Sequence, residues 1–210
     1  MDIKRLGCFT VLALAAGVSH ADNFFVNTSL GASNYYPQPR YFGPNEHHSH
    51  TEALRFGYQW SRGRLSYGLE TGYANMGHRR QSFGHNEGWE NYVERIEGFM
   101  FGANLKYSLP MGFYISGRGG LLRSTDHQEN HWVRWTFYPG GPSVVGTSKA
   151  NASGVGSYVS LGVGYDFNKS FGLGLSYDRY RAHVSNDDSR LLFLGTSRVD
   201  TYTLTAEYRF

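Results

Sequence analysis

The chain has 210 residues, of which 16% are aromatic and 27 are glycine, and its formal net charge is +3 at pH 7. So small a positive charge gives no basis for predicting that it binds nucleic acid. Its one cysteine, Cys8, lies in a segment that is predicted to be removed, so the remaining chain can form neither a disulfide nor a cysteine-ligated metal site.

Residues 1–21 are predicted to be a secretory signal peptide. Lys4 and Arg5 precede an apolar run over residues 6–18, and Ser19 and Ala21 are small residues at the two positions that a signal peptidase reads. The apolar run is too short to cross a bilayer of about 30 Å as a helix. We therefore expect cleavage after Ala21, which leaves residues 22–210 as a single exported domain.

Eight segments of the mature chain alternate large apolar residues with small or polar ones, which predicts β-strands. They are residues 23–34, 51–60, 65–77, 92–108, 113–123, 155–165, 171–180 and 201–210. The mean hydropathy is −0.46, and no mature segment approaches 18 continuous apolar residues, so a helical membrane protein is excluded. An apolar face opposite a face of Gly, Ser, Thr and charged residues is typical of a transmembrane barrel, with a secreted β-sandwich as the alternative.

The connections between these segments alternate in length. Short connections cover residues 61–64, 108–112 and 166–170, and long ones cover residues 35–50, 78–91, 124–154 and 181–200. Outer-membrane barrels have short periplasmic turns and long extracellular loops. We therefore predict an all-β fold, an eight-stranded antiparallel up-and-down transmembrane β-barrel in the outer membrane, with both termini in the periplasm.

The C-terminal strand is a second indication of an outer-membrane barrel. Residues 202–210 alternate in polarity and end on Phe210, similar to the strand signal that barrel-assembly machinery recognises. With residues 162–168 (GVGYDFN) and 175–180 (LSYDRY), this strand makes the chain resemble the OmpA-like family of small outer-membrane β-barrels. The resemblance implies an eight-stranded barrel in a Gram-negative outer membrane. It leaves the role open, because that family includes structural proteins, adhesins and resistance factors.

Six charged residues fall on the small, polar face that is predicted to line the lumen. They are Arg55, Glu70, Lys106, Arg118, Asp178 and Glu207. A lone buried charge is costly, so three cations and three anions predict an ion-pair network, and an eight-stranded interior is narrow enough for side chains to fill. No wide pore is expected. If Trp60 faces Leu65 across the turn at residues 61–64, Arg55 lies directly opposite Glu70.

The predicted extracellular side offers candidate contacts. The basic cluster of His78, Arg79 and Arg80 is a candidate site for lipopolysaccharide phosphates. The loop at residues 124–154, with aromatic and basic side chains, is a candidate contact for a host or surface ligand. Residues 47–50 hold three histidines, and imidazole is a good ligand for zinc and copper. Solvent-exposed histidines in a loop, without a metal, are the alternative interpretation. We predict neither a metal nor a cofactor.

One motif suggests catalysis. Residues 183–186 read His-Val-Ser-Asn, which resembles the His-x-Ser-Asn motif of eight-stranded lipid A deacylases. Ser185 would be the nucleophile and His183 its base, oriented by Asp200 or by one of the aspartates that follow the motif. Those adjacent aspartates depart from the family's pattern, and a solvated loop tip explains the residues equally. The predicted function is therefore a non-enzymatic barrel with a structural or surface-interaction role of the adhesion or resistance type. It would contact outer-membrane lipids and lipopolysaccharide, and the alternative is a lipid A-modifying enzyme.

Overall fold

The computed structural model describes residues 23–36, 45–46, 48–85, 88–134, 144–184 and 195–210. The predicted signal peptide lies outside them. The strands within these residues are β1 (Phe24–Tyr36), β2 (Asn45–Glu46), β3 (His48–Arg62), β4 (Leu65–His85), β5 (Gly88–Ser108), β6 (Phe113–Arg134), β7 (Val144–Asp166), β8 (Phe171–Val184) and β9 (Gly195–Arg209). A short 3₁₀ turn, Pro110–Gly112, joins β5 to β6. In this part of the chain, no helix is long and apolar enough to cross a membrane.

The strands close into a ring. Among the described residues, β1 and β3 to β9 each pair antiparallel with the next strand of this series, and β1 also pairs with β9. The two-residue strand β2 lies beside the upper part of β4. Closure removes free strand edges around the ring. The predicted eight-stranded antiparallel architecture is confirmed. We call the end with the tight connections after β3, β5 and β7 the turn end, and the opposite end the loop end.

Alternating side chains give the barrel an apolar exterior and a polar interior. Leu161, Leu175 and Leu204 point outward and are 70%, 62% and 58% exposed, whereas the inward Arg55 and Glu70 are 1% and 2% exposed. Toward the loop end the continuous apolar exterior reaches Phe99, Leu121, Val155, Tyr177 and Tyr202. Above those residues the outward side chains are largely polar or charged. The barrel therefore has apolar side chains outside and polar ones inside, the reverse of a soluble protein, as a barrel surrounded by lipid requires.

Four strands continue well beyond the apolar exterior. Strands β4 to β7 have 21 to 23 residues, whereas β1, β3, β8 and β9 have 13 to 15. A tilted membrane span needs only about 9–11 residues. We call the excess, residues 78–85, 88–95, 126–134 and 144–153, the projecting sheet.

The projecting sheet corrects the predicted loops. Residues 78–91 and 124–154 were expected to be loops, but most of the described residues in them are strand. In the projecting sheet the inward positions are buried but polar or charged, as at Arg79, Glu94 and Asp126, and most outward positions are polar as well, so the contrast between an apolar and a polar face disappears. Without that contrast, period-2 alternation no longer reveals a strand.

The predicted register between β3 and β4 is wrong by two residues. Trp60 pairs with Tyr67, because the turn is only Gly63 and Arg64. Gly63 has φ 64°, a left-handed conformation that a two-residue hairpin turn requires and glycine adopts without strain. Arg55 consequently faces Gly72, and Glu70 faces Gly57. Because the shift is even, the predicted inward face is unchanged.

A β-bulge in β4 reverses the alternation of its upper part. The β4–β5 register shifts between Asn75 and His78, and Gly77 has φ 84°. The Gly77 amide donates a hydrogen bond of 3.0 Å to Asn75 Oδ1. One extra residue exchanges the two faces of a strand, so even-numbered positions are buried below the bulge and odd-numbered ones above it. The bulge therefore turns Arg79 inward.

Candidate functional site

The six charged residues predicted to line the lumen all lie inside the barrel. Arg118 joins two of them, since its Nη1 donates to Glu70 Oε2 at 2.9 Å and its Nη2 donates to Glu207 Oε2 at 3.1 Å. The other Glu70 oxygen accepts a hydrogen bond of 2.8 Å from the Tyr158 hydroxyl. Glu70, Arg118 and Glu207 thus form one connected chain across the interior.

Lys106 extends this chain toward the turn end. Its Nζ lies 3.2 Å from Glu207 Oε1 and 2.9 Å from Asp166 Oδ1, and it sits 3.9 Å from the centre of the Tyr114 ring. Asp166 Oδ1 also accepts a hydrogen bond of 2.6 Å from Arg209 Nη2. Each charge here has an opposite charge beside it, which offsets the cost of burial.

Arg55 is almost fully buried, and it does not pair with Glu70 as predicted. Its Nη2 donates to Asp178 Oδ1 and to the Tyr180 hydroxyl, both at 3.0 Å, and its Nη1 donates to Ser29 Oγ at 2.8 Å. The predicted direct pair between Arg55 and Glu70 is wrong, because the two-residue turn moves Glu70 along the strand. Arg55 reaches across the barrel to β8 instead.

Several members of this interior network were missed by the sequence prediction, among them Asp166, Arg209, Tyr158 and Tyr180. Asp166 had been assigned to a turn, although it is the last residue of β7. Tyr158 and Tyr180 share the inward parity of Gly162 and Asp178, so the period-2 pattern already contained that signal. Large aromatic residues on a face of small residues were not expected to point inward.

An apolar layer closes the interior above the ion pairs. It consists of Tyr35, Ala53, Ala74, Met76, Ile96, Met100, Leu122, Tyr158, Tyr180, Ala182 and Val199. Met76, Ile96 and Leu122 are fully buried, although they come from three different strands. An apolar constriction expels water and opposes the passage of ions.

A second charged cluster lies beyond this layer, within the loop end. Arg79 forms an ion pair with Glu94, and Asp126 Oδ2 accepts a hydrogen bond of 2.8 Å from Gln128 Nε2. Burial, together with the nearby Glu94 carboxylate, raises the pKa of Asp126 to about 8. Glu94 therefore pairs with Arg79, while Asp126, close to the Glu94 carboxylate, favours its protonated form.

The predicted lipopolysaccharide cluster is divided by the bulge in β4. Arg79 is 3% exposed and bound to Glu94, whereas His78 and Arg80 face outward. Arg79 is therefore not available on the outer surface, and only His78 and Arg80 of the predicted lipopolysaccharide contact face outward. The reason is that an ordinary strand would place positions 78 and 80 with the interior, and the extra residue at Gly77 reverses that assignment.

Of the suggested catalytic motif, the structure relates only the backbone of His183 to Asp200. Ser185 and the side chain of His183 lie outside the described residues, but the His183 backbone pairs with Thr196. Asp200 pairs with Arg179, four residues further along β9, or about 13 Å at about 3.3 Å per residue. The carboxylate of Asp200 accepts hydrogen bonds from Arg179, Arg198 and Tyr177.

Phe210 lies where the barrel closes. Its amide donates a hydrogen bond of 3.0 Å to the carbonyl oxygen of Phe24, which joins the two ends of the ring. Its ring packs edge-on against Tyr208 at 5.1 Å between centroids. Of the three histidines at residues 47–50, only the His50 side chain is among the described residues.

A closed antiparallel ring with an apolar exterior and a charged interior defines a transmembrane β-barrel. The chain belongs to the family described as "outer membrane protein beta-barrel domain", whose model matches residues 6–210. It is therefore a protein of the bacterial outer membrane.

Solved structures of similar fold include Ail, the attachment invasion locus protein of Yersinia pestis, at 14% identity over 90% of this chain and 99% of that one, with a TM-score of 0.46. The outer membrane protease OmpT of Escherichia coli matches at 12% identity over 91% and 98%, with a TM-score of 0.48. The N-terminal barrel domain of Pseudomonas aeruginosa OprF matches at 12% identity over 89% and 98%, with a TM-score of 0.42. No curated protein matches the chain in sequence.

Proposed function

We propose that the protein is a sealed, non-enzymatic barrel with a structural or surface-interaction role in the outer membrane. The observation that carries this proposal is the interior, where paired charges and an apolar layer fill the lumen. Arg55 and Asp178 have side chains only 2% and 1% exposed, which leaves no room for a wide aqueous path beside them. A barrel whose lumen is filled by side chains is suited to presenting a surface outside the membrane and not to conducting ions or solutes.

In this proposal the turn end and both termini face the periplasm, as in other outer-membrane barrels. The projecting sheet then stands on the cell surface. Its exposed parts are mostly polar, with an ion pair of 2.8 Å between Lys149 and Glu129 and an outward Arg80, but they include the apolar side chains of Trp89, Val144 and Val145. A rigid polar sheet that carries the loop tips is a suitable platform for a host or surface ligand, which corresponds to a role of the adhesion or resistance type.

Lipids of the outer membrane, lipopolysaccharide included, surround the apolar exterior in this proposal. The barrel-assembly machinery is the expected partner during insertion, through the strand that ends at Phe210. The hydrogen bond between Phe210 and Phe24 supports that role, because the terminal residue completes the ring.

The second candidate is a lipid A-modifying enzyme that uses His183 and Ser185. It rests on the sequence motif, and the engagement of Asp200 by two arginines and a tyrosine removes one candidate for the third catalytic residue. A serine nucleophile needs an oriented base, so in such an enzyme an acidic residue other than Asp200 would have to orient His183.

Mass spectrometry of lipid A separates the two candidates. We expect the same acylation pattern in cells that lack the protein, that produce it, and that produce Ser185→Ala or His183→Ala. Survival in detergent and adhesion to host cells, measured in the same strains, should change on deletion and recover with either variant. A missing acyl chain that depends on both residues would establish the enzyme instead.

A further inference from the structure

The outer face of β8 and β9 carries a cluster of arginines just above the apolar exterior. Arg179 and Arg181 point outward from β8, and Arg198 points outward from β9. Among the described residues one carboxylate, Asp200, lies with them, so three positive charges face one negative charge in this part of the chain. We call these four residues the arginine patch.

Asp200 holds two of the arginines in fixed positions. Its Oδ1 accepts hydrogen bonds from Arg179 Nε at 3.0 Å and Arg198 Nε at 3.2 Å, and its Oδ2 accepts one of 2.7 Å from Arg198 Nη2. The guanidinium of Arg198 also lies 4.2 Å from the centre of the Tyr36 ring. The side chains of Arg179 and Arg198 remain 32% and 37% exposed, so their outer edges are available to a ligand.

Arg181 gives the patch its excess charge. It is exposed and pairs directly across the sheet with Arg198, and like charges in that position repel each other. Among the residues that the structure describes, no acidic side chain forms an ion pair with Arg181. An anion between Arg181 and Arg198 would remove this repulsion.

An apolar groove begins directly below the patch. The rings of Tyr177 and Tyr202 pack against each other at a tilt of 41° with 5.2 Å between centroids, and Tyr177 also donates a hydrogen bond to Asp200. The groove below them has a volume of about 810 Å³, and its lining includes Tyr177, Tyr202, Leu30, Ile115, Leu161 and Leu175. It is deepened at Gly117, where an added Cβ would find no heavy atom nearer than 3.9 Å.

Arginines, then tyrosines, then aliphatic side chains follow one another from the loop end toward the middle of the barrel. This order matches a lipid monolayer, in which charged headgroups lie above an interface rich in Tyr and above the acyl chains. Arginine binds phosphate oxygens through two parallel hydrogen bonds, which makes a phosphate the fitting anion. The volume of the groove is within the range of about 300–1,000 Å³ of known ligand sites.

We propose that the arginine patch and the groove bind one molecule of the phosphorylated glycolipid of the outer leaflet. A lipid A phosphate lies between Arg181 and Arg198, and an acyl chain occupies the groove below Tyr177 and Tyr202. The proposal rests on the loop end facing outward. It replaces the divided cluster at residues 78–80 as the contact for lipopolysaccharide.

The test is lipid binding by the refolded protein in detergent, measured by native mass spectrometry. The probes are lipid A with its phosphates, the same lipid A after removal of the phosphates, and inorganic phosphate alone. Arg181→Gln removes the charge for which the described residues offer no ion-pair partner, and Gly117→Leu places a side chain in the groove. Arg123→Gln is the matched control, because Arg123 is also exposed at this height but lies on β6.

We expect Arg181→Gln to weaken binding of phosphorylated lipid A about tenfold, which corresponds to about 1.4 kcal/mol, and Arg123→Gln to leave it unchanged. Gly117→Leu should weaken both forms of lipid A. Preference for inorganic phosphate over lipid A, or equal affinity for lipid A with and without phosphates, would overturn the proposal. These results would leave the sealed-barrel function intact, because ion conductance tests that function separately.

Discussion

The stability of the barrel should depend strongly on the buried ion pair between Arg55 and Asp178. We predict that Asp178→Asn strongly destabilises the barrel, because it leaves a guanidinium that is nearly inaccessible to solvent without its carboxylate. Arg55 Nη2 lies 3.0 Å from Asp178 Oδ1, and the two side chains are 2% and 1% exposed. Breaking such a pair from one side costs about 3–5 kcal/mol.

The lower end of this range applies here, since Arg55 keeps its hydrogen bonds to Tyr180 and Ser29. A loss of about 3 kcal/mol corresponds to a shift of about 1.5 M in the urea midpoint if the slope is about 2 kcal/mol per molar urea. The assay is urea unfolding of the refolded barrel in detergent, followed by loss of the heat-modifiable form on gels and by tryptophan fluorescence.

The matched control is Glu129→Gln, which breaks the exposed pair with Lys149, whose side chains are 71% (Lys149) and 36% (Glu129) exposed. An exposed pair contributes about 0–1 kcal/mol. The double variant Arg55→Met/Asp178→Asn should cost less than the sum of its single changes, because it removes both buried charges. Equal midpoint shifts for Asp178→Asn and Glu129→Gln would refute the reasoning.

Three further predictions concern the upper cluster and the two ends of the chain. The folded protein holds a proton on Asp126 up to about pH 8, whereas the unfolded carboxyl loses it above pH 3.8, so stability should fall as the pH rises between these values. Asp126→Asn should flatten that profile in urea unfolding at pH 5 and pH 8, and an unchanged slope would contradict the assignment. N-terminal sequencing of outer-membrane material should begin at Asp22, and a start at residue 1 would contradict cleavage. Deletion of Phe210 should reduce membrane-inserted, heat-modifiable protein while export continues, and normal insertion would contradict its role in assembly.

The inward and outward faces of the strands could be predicted from the sequence because their period is two. Arg55 and Glu70 stay on the inward face even though the register moves by two residues. The register itself could not be predicted, since it depends on whether the turn has two residues or four. Gly63 was the available signal, because its left-handed conformation favours the shorter turn.

The strands near the loop end could not be predicted from the sequence, for two physical reasons. The inward face of the projecting sheet is buried but carries polar and charged side chains, and most of its outward side chains are polar too, so its hydrophobic pattern does not separate it from a loop. The bulge at Gly77 then reverses the faces within one strand, which moved Arg79 from a predicted surface into an interior ion pair with Glu94. A glycine within a strand pattern was the signal that such a bulge was present.

Asp200 shows the limit of reading a site from a short motif. In the sequence it is an acidic residue downstream of His183 and Ser185, the arrangement that a catalytic triad requires. In the structure its carboxylate organises Arg179 and Arg198 on the outer face. Only the register between β8 and β9 brings these charges together, and that register was not predicted from the sequence.

Single-channel recording in a planar lipid bilayer tests the sealed interior most directly. The refolded barrel should insert without producing discrete conductance steps, because the ion pairs and the apolar layer around Met100 and Leu122 fill the lumen. Insertion would be established separately by protection of the barrel from added protease. Stable, voltage-independent steps of a water-filled pore, seen with the wild-type protein, would contradict the account.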